Sequence, residues 1–331
     1  MLAKTGIRVY NLRMASKRVF VADSLAREGI EEFARYPGIE LVVKTGLPAD
    51  KLALEIGDSQ GLVVRSATQA TRQIIEAAPG LKVIGRAGAG VDNIDVPAAT
   101  ARGILVLNTP GGNAEAAAEL AIAMMFALAR QIPQADASMK AGSWDKKSFS
   151  GVELLGKTLG LIGVGNVGSI VGKRALALGM KVMASDPFVD ASKMAAAGFQ
   201  PASLDEVIAK ADFLSVHSPR NEQTKGMLNA AAFARMKRGV FLVNCARGGI
   251  VVERDLIAAL DSGVVRGAGV DVFEKEPPED WSLARHPKVV ATPHLGATTG
   301  EAQVNVSVMI ARQIGAYLSR GEIVNAVNAP A

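Results

Sequence analysis

From residue 18 onward, short apolar runs rich in β-branched residues alternate with longer stretches whose apolar positions recur at helical spacing. That alternation is the pattern of an α/β protein with parallel sheets. In the first third, the runs at 19–22, 40–43, 61–64, 82–85 and 104–107 read as strands, with helical segments such as 24–36 and 71–78 between them. Five such strands form one doubly wound unit. After Asn108-Thr109-Pro110-Gly111-Gly112 the pattern changes to an Ala-rich helix over 115–131 and then a polar segment through Lys147, so the Pro-Gly-Gly punctuation marks a domain crossing. A second series of six strands follows at 158–162, 181–185, 213–216, 240–244, 268–271 and 289–292, the count of a dinucleotide-binding fold. From Leu295 one more helix remains, opened by Thr298-Thr299-Gly300-Glu301, in which Thr298 and Glu301 match a capping box. With no further strands beside it, this helix is expected to return to the first domain. The chain then crosses twice and leaves a cleft between domains, where ligand sites concentrate.

Composition narrows the class. A chain of 331 residues that is 49% hydrophobic can bury two cores. Its single cysteine, Cys245, cannot form an internal bridge, and no signal-peptide apolar core is present, which points to the reducing cytoplasm. The longest clean apolar run, 120–129, is well short of the ~20 residues that span a bilayer, so no membrane partner is expected. The net charge of +5 is spread along the chain instead of forming a stripe, which reads as a solvated surface and not as a nucleic-acid site. The first eighteen residues are basic and contain no acid. Met14 is a candidate natural start; an organelle transit peptide is the rival reading, against which the segment's shortness and lack of helical spacing argue.

Gly163-Val164-Gly165-Asn166-Val167-Gly168 stands between a strand and a helix, the context a dinucleotide-binding glycine motif requires. Gly163 suits the tight turn, Gly165 the approach of a pyrophosphate, and Gly168 close helix-on-strand packing; Asn166 and Val167 complete the cofactor loop, and the N-terminus of a helix expected to start near Ser169 supplies amide donors. About 20 residues on, Asp186 ends the next strand, where a carboxylate can accept from ribose hydroxyls. No Arg or Lys follows in Asp186-Pro187-Phe188 to receive a 2′-phosphate, so NAD is favoured over NADP.

Ligands in open α/β sheets meet the carboxyl ends of the strands, and those ends are polar here. Arg247, Glu276 and His294 follow three successive strands of the second series. Alcohol oxidation by hydride transfer needs a base that titrates near neutrality, and His294 is the candidate. Glu276 would hold its imidazole in one tautomer, and Arg247 would bind a carboxylate and polarise the C2 oxygen. The bland rivals are an interfacial histidine, a loop acid and a surface ion-pair arginine. His217 competes as base, although its place suits a wall of the cofactor cleft, and His286 reads as plain loop. No metal is called for.

Several longer stretches carry a family resemblance: Val64-Arg65-Ser66-Ala67-Thr68, Gly85-Arg86-Ala87-Gly88-Ala89-Gly90-Val91-Asp92-Asn93, Asn108-Thr109-Pro110-Gly111-Gly112-Asn113, Asn244-Cys245-Ala246-Arg247-Gly248-Gly249, Asp271-Val272-Phe273-Glu274 with Glu276-Pro277-Pro278, and Pro293-His294-Leu295-Gly296-Ala297. On these, from Ser16 to Pro330, the chain resembles the D-isomer-specific 2-hydroxyacid dehydrogenases. The resemblance implies an α/β fold of two doubly wound parallel-sheet domains: a flavodoxin-like substrate domain (16–108 plus 295–331) and a Rossmann NAD-binding domain (109–294). It implies that Arg247, Glu276 and His294 form the catalytic trio. It also implies that Asp271 contacts the nicotinamide amide, that His217, Ser218, Cys245, Ala246, Arg247, His294 and Gly296 line the cofactor site, and that Arg65, Ser66, Arg86 and Gly88, with Arg247 and His294, bind substrate. Many relatives have a hydroxyl residue where Ala89 stands, so that contact is not carried over.

The implied reaction is NAD-dependent oxidation of 3-phospho-D-glycerate to 3-phosphohydroxypyruvate in serine synthesis. The alternatives are a glyoxylate, hydroxypyruvate or D-lactate dehydrogenase of the same family, or a non-enzymatic dinucleotide-sensing corepressor of the same architecture. The family also implies a homodimer or homotetramer, for which Leu120, Met124, Met125 and Leu128 offer apolar surface at helical spacing. Members acting on 3-phosphoglycerate often continue into a serine-sensing regulatory domain. The chain ends short of one, so a short form or a trimmed unit is expected.

Overall fold

The computed structural model describes residues 16–329. The candidate start at Met14 and the basic leader before it lie outside the described residues. The chain forms two compact units, one running up to Gly112 and resuming at Gln303, the other comprising Asn113–Ala302.

The first unit holds β1 (Lys17–Val21), β2 (Ile39–Val43), β3 (Gly61–Val64), β4 (Val83–Arg86) and β5 (Leu105–Leu107), all parallel, in the order β2-β1-β3-β4-β5. This is the flavodoxin-like order, whose ligand crevice opens where the order reverses, between β1 and β3. The runs are continuously apolar because both faces of the sheet are covered. Phe20, Leu62, Val64, Ile84 and Val106 pack into one core with Ile56, Ile74 and Ile75. Their neighbours Val19, Val21, Val63, Val83 and Leu105 pack into the other with Ile310, Ile314 and Leu318. Successive side chains thus go to opposite faces, the period of two that a strand imposes.

The second unit opens with α5 (Ala114–Arg130), preceded in the first by α1 (Arg27–Glu32), α2 (Ala49–Ile56), α3 (Arg72–Ala77) and α4 (Val96–Ala101). The polar stretch after α5 is in part helical: α6 (Ile132–Lys140) starts at once, because Gln131 takes a left-handed conformation (φ 51°) and Pro133 lies in the first turn. The sheet that follows has seven strands, not six: β6 (Thr158–Ile162), β7 (Lys181–Ser185), β8 (Gln200–Pro201), β9 (Phe213–Val216), β10 (Val240–Asn244), β11 (Val265–Val270) and β12 (Val289–Ala291). The additional strand, β8, has two residues, one a proline, and sits at the sheet edge, so no apolar run announces it. The order β12-β11-β10-β9-β6-β7-β8 reverses between β6 and β9, the Rossmann arrangement extended by one strand. α7 (Asn166–Ala177), α8 (Ala191–Ala196), α9 (Leu204–Lys210), α10 (Ala230–Ala234) and α11 (Glu253–Asp261) are its remaining helices.

Two expectations are corrected. Met124, Met125 and Leu128 are buried within the second unit's own core, against strands including β10 and β11, so they are not available as a subunit surface. A core-facing helix stripe and an interface stripe share the same spacing, and sequence alone does not separate them. At α12 (Gly300–Arg320) the cap hydroxyl is that of Thr299, which accepts from the Ala302 amide at 3.1 Å; the Thr298 amide instead closes a turn onto the Leu295 carbonyl. A capping box does occur, on α9, between Ser203 and Glu206. The chain returns to the first unit inside α12, between Ala302 and Gln303.

Candidate active site

Strand register decides which residues of the second unit stand level at the carboxyl edge of the sheet. Ile162 pairs with Val216, Val216 with Asn244, Asn244 with Val270 and Val270 with Ala291. The residues emerging side by side are therefore Gly163, His217, Cys245, Asp271 and Thr292. Four of these five belong to the expected site or its immediate neighbours, although up to some fifty residues of sequence separate adjacent members.

The glycine loop follows β6. Gly163 has φ 94°, and a Cβ there would lie 2.7 Å from the His217 carbonyl oxygen; at Gly168 it would lie 2.1 Å from the Gly163 oxygen. Those two positions require glycine for internal reasons. Gly165 has none: a Cβ would meet nothing within 4 Å, so its missing side chain leaves open room over the start of α7. Gly165 is also the N-cap of α7 and supplies no side-chain cap, which leaves the amides around Asn166 and Val167 to an external anion. The residues thus fit a pyrophosphate. Asp186 accepts from the Val164 amide at 2.8 Å and the Phe188 amide at 2.9 Å, bracing the loop with a carboxylate that retains further acceptor capacity. Ser218 donates to the Ile162 carbonyl at 3.1 Å, beside Gly163.

His294 and Glu276 meet: Nδ1 of the imidazole lies 2.6 Å from Glu276 Oε2, and both side chains are partly exposed, at 42% and 37%. Burial by itself would raise the Glu276 pKa. The hydrogen bond and charge of His294, the Phe273 amide on Oε1 (3.1 Å) and the charge of Arg247 outweigh it and hold the carboxyl below its ordinary value. An ionised carboxylate only accepts, so Nδ1 carries the proton of this bond. Arg247 therefore shares an electrostatic environment with the pair. Its turn is shaped by Asn244 at the end of β10, whose amide donates to the Arg247 carbonyl (3.0 Å) and whose Oδ1 accepts from the Ala246 amide (3.1 Å).

Asp271 explains why His294 stands where it does. It is fully buried, and its carboxylate accepts from Thr292 Oγ1 (2.6 Å), the Leu295 amide (2.7 Å) and the Gly296 amide (2.9 Å). Its backbone carbonyl accepts from the His294 amide at 2.9 Å, and His294 has φ 54°, a strained conformation for a non-glycine residue. Expected at a nicotinamide amide, Asp271 has most of its acceptor capacity turned to the histidine's own loop. Burial, and after it the Asp271 charge, raises the Cys245 thiol pKa and keeps it neutral, and Cys245 contributes backbone to this edge. His217 is different: its Nε2 lies 2.9 Å from Ser215 Oγ, and burial lowers its pKa to about 4.

In the first unit Arg65 follows β3 and Arg86 ends β4, neighbours in the sheet. Arg65 Nη1 donates to the Ser24 carbonyl at 3.1 Å; Ser66 is exposed beside it. Gly88 makes room for Arg86, since a Cβ there would lie 2.2 Å from the guanidinium. Sequence reasoning missed what holds these arginines. Asp23, 5% exposed, accepts from the amides of Arg65 (2.5 Å) and Thr68 (3.1 Å) and from the Thr68 hydroxyl (2.7 Å). Asn93 bridges to Arg86. The available signal was that Thr68 and Asn93 lie within the motif stretches; Asp23 had none. In the second unit, Gly248 is required by its neighbour: a Cβ there would lie 1.7 Å from the Phe273 carbonyl oxygen. Among the described residues no group of three metal-binding side chains occurs, and no single helix is long and apolar enough to cross a membrane.

A Rossmann sheet with a braced glycine loop, and a histidine–carboxylate pair beside an arginine at the same sheet edge, defines a dinucleotide-dependent dehydrogenase class. Comparison with known proteins agrees. Residues 122–296 match the family model of the D-isomer specific 2-hydroxyacid dehydrogenase, NAD binding domain, and the chain belongs to that family. It is 48% identical over 314 residues to D-3-phosphoglycerate dehydrogenase of Archaeoglobus fulgidus, covering 95% of this chain and 59% of that protein. The chain thus spans less than two thirds of the length of such curated relatives. Among solved structures, a glyoxylate reductase from Paecilomyes thermophila superposes with TM-score 0.87 at 30% identity, covering 95% of this chain and 99% of that one. An NAD+-bound 3-phosphoglycerate dehydrogenase of Entamoeba histolytica superposes with TM-score 0.81 at 29% identity, with the same coverage.

Proposed function

We propose that this chain is the catalytic part of an NAD-dependent D-3-phosphoglycerate dehydrogenase, interconverting 3-phospho-D-glycerate and 3-phosphohydroxypyruvate. The observation that carries the chemistry is the 2.6 Å contact between His294 and an ionised Glu276 at the sheet edge that also bears the glycine loop. With Nδ1–H donated to Glu276, Nε2 is the ring nitrogen that takes the C2 hydroxyl proton, and the carboxylate stabilises the imidazolium that results. Arg247 offers its guanidinium fork to the substrate carboxylate and the C2 oxygen. Gly163, Gly165, Asn166, Val167 and Gly168 hold the pyrophosphate and Asp186 the ribose, with His217, Ser218, Cys245, Ala246, Asp271 and Gly296 along the same edge. NAD, when bound, supplies the acceptor for the hydride leaving C2. Arg65 and Arg86, with Ser66 and Gly88, take the substrate's anionic groups; the 48% identity to a phosphoglycerate enzyme supports this assignment.

Exposed Phe126, Ile132, Met139 and Trp144 on α5, α6 and the segment after them support self-association as a homodimer or homotetramer. A single cysteine in 331 residues supports action in the cytoplasm.

The test is NADH consumption with 3-phosphohydroxypyruvate against hydroxypyruvate, glyoxylate, pyruvate and 2-oxoglutarate, for the parent and for His294→Ala. The phosphorylated acid is expected to be preferred, and His294→Ala to bind NADH normally while losing at least about 10²-fold in kcat, the scale of general acid–base catalysis. Preference for an unphosphorylated acid would discard the substrate and keep the mechanism. Full turnover in His294→Ala would discard the base.

A further inference from the structure

The two arginines assigned to the substrate's anionic groups are tied to one buried side chain that neither the motif reading nor the comparisons assign. Asn93 is 8% exposed and uses both ends of its amide. Nδ2 donates to the carbonyls of Arg65 (2.7 Å) and Thr68 (2.6 Å), while Oδ1 accepts from Arg86 Nε (3.2 Å). Asn93 therefore holds the turn after β3 by its carbonyls, as Asp23 holds it by its amides, and at the same time fixes the Nε edge of the Arg86 guanidinium.

We infer that Asn93 is a positioning residue that sets Arg65 and Arg86 in register for a phosphorylated 2-hydroxy acid, and so determines the preference for that acid. The inference rests on the reading of the two arginines given above. The chemistry selects an amide. A carboxylate would set a negative charge against two carbonyl oxygens and neutralise the arginine whose charge the substrate needs. An apolar residue would take the donor from both carbonyls, that of Thr68 buried, and the acceptor from Arg86 Nε. A neutral group that donates to both carbonyls and accepts from the guanidinium orients the arginine without itself cancelling its charge.

The experiment measures the ratio of kcat/KM for 3-phosphohydroxypyruvate to that for hydroxypyruvate, which isolates the contribution of the phosphate. Asn93→Ala, Asn93→Asp, Arg65→Ala and Arg86→Ala are compared with the parent, with NADH Kd and Tm measured alongside. Asn93→Ala is expected to lower the ratio about tenfold through KM for the phosphorylated acid, the scale of a hydrogen bond to a charged group, with kcat and NADH Kd within about twofold. Asn93→Asp, nearly isosteric and able to serve if the alanine variant fails to fold, is expected to lower it further because of its added charge. An unchanged ratio in both Asn93 variants, while the arginine variants lose it, would overturn the inference and leave the function standing. A parallel collapse of kcat, NADH binding and Tm would also overturn it, by showing a general structural role. If the arginine variants keep the parent ratio, the reading of the arginines fails and the inference falls with it.

Discussion

A histidine at a strand end serves as a base only where it can exchange protons and hold the charge it acquires. His294 is 42% exposed and lies 2.6 Å from a carboxylate whose pKa is held low, so both conditions are met. His217, which stands directly at the end of β9, is desolvated, and its pKa falls to about 4. It is neutral at neutral pH and serves as packing against the glycine loop. The sign of its effect on stability follows. In the unfolded chain an imidazole titrates near 6.5, so as pH falls below that value the unfolded state takes up a proton that the folded state refuses until about pH 4. Stability from this group is complete above pH 6.5, declines as pH falls toward 4, and levels off below. His217→Gln should flatten that part of the Tm profile between pH 7 and 4; an unchanged slope would show that the ring is solvated after all. Glu276 also acts on the acid side: with its folded value depressed, its contribution is full above the ordinary carboxylate range and is lost as pH falls through the lowered value.

Between elements, the site depends on two loops touching backbone to backbone. The turn after β10 carries Arg247, and the turn after β11 carries Phe273 and, three residues on, Glu276. At Gly248 any side chain would enter the Phe273 carbonyl, since even a Cβ would lie 1.7 Å from its oxygen. Gly248→Ala must therefore move one loop away from the other and separate Arg247 from the Glu276–His294 pair. Because displacements near 1 Å at a reacting centre cost about 10²-fold, kcat should fall by that order while NADH Kd changes little. Near-parental kcat would show that the loops yield elsewhere.

For the molecule as a whole, two compact units, each with hydrophobic cores of its own, and a long C-terminal helix are the decisive features. One face of the first sheet is covered by Ile310, Ile314 and Leu318 of α12, from the far end of the chain. Ile314 is fully buried, and Ile314→Ala should destabilise the first unit by about 2–5 kcal/mol. Both tryptophans, Trp144 and Trp281, belong to the second unit, so their fluorescence reports that unit while far-UV circular dichroism reports both. In urea, the variant should show an earlier dichroism component with the fluorescence midpoint unmoved. Equal shifts of the two would show that the units unfold as one.

Alternating apolar runs were enough to locate ten of the twelve strands' positions closely and an eleventh, β11, at its second half, because a parallel strand buried on both faces must be apolar throughout. Strand-end chemistry was legible for the same reason: polar residues directly after such a run have the sheet edge as their place, which picks out Arg247 and the Asp271 and His294 turns. The glycine loop was legible because its turn and its close packing each demand glycine at a set spacing. The two-residue β8, the helix α6 with no buried face, and the burial of Met124, Met125 and Leu128 were not legible. A proline-containing edge strand and an exposed helix leave no apolar signature, and a helical stripe does not declare what covers it. Tertiary structure alone decided the partners of polar side chains: Asp23 with Thr68, Asn93 with Arg86, Asp271 with the loop of His294. Local hydrophobic spacing encodes elements, because burial is averaged over a whole face. A hydrogen bond depends on the meeting of two atoms, brought together here from strands and loops by the register of the sheets.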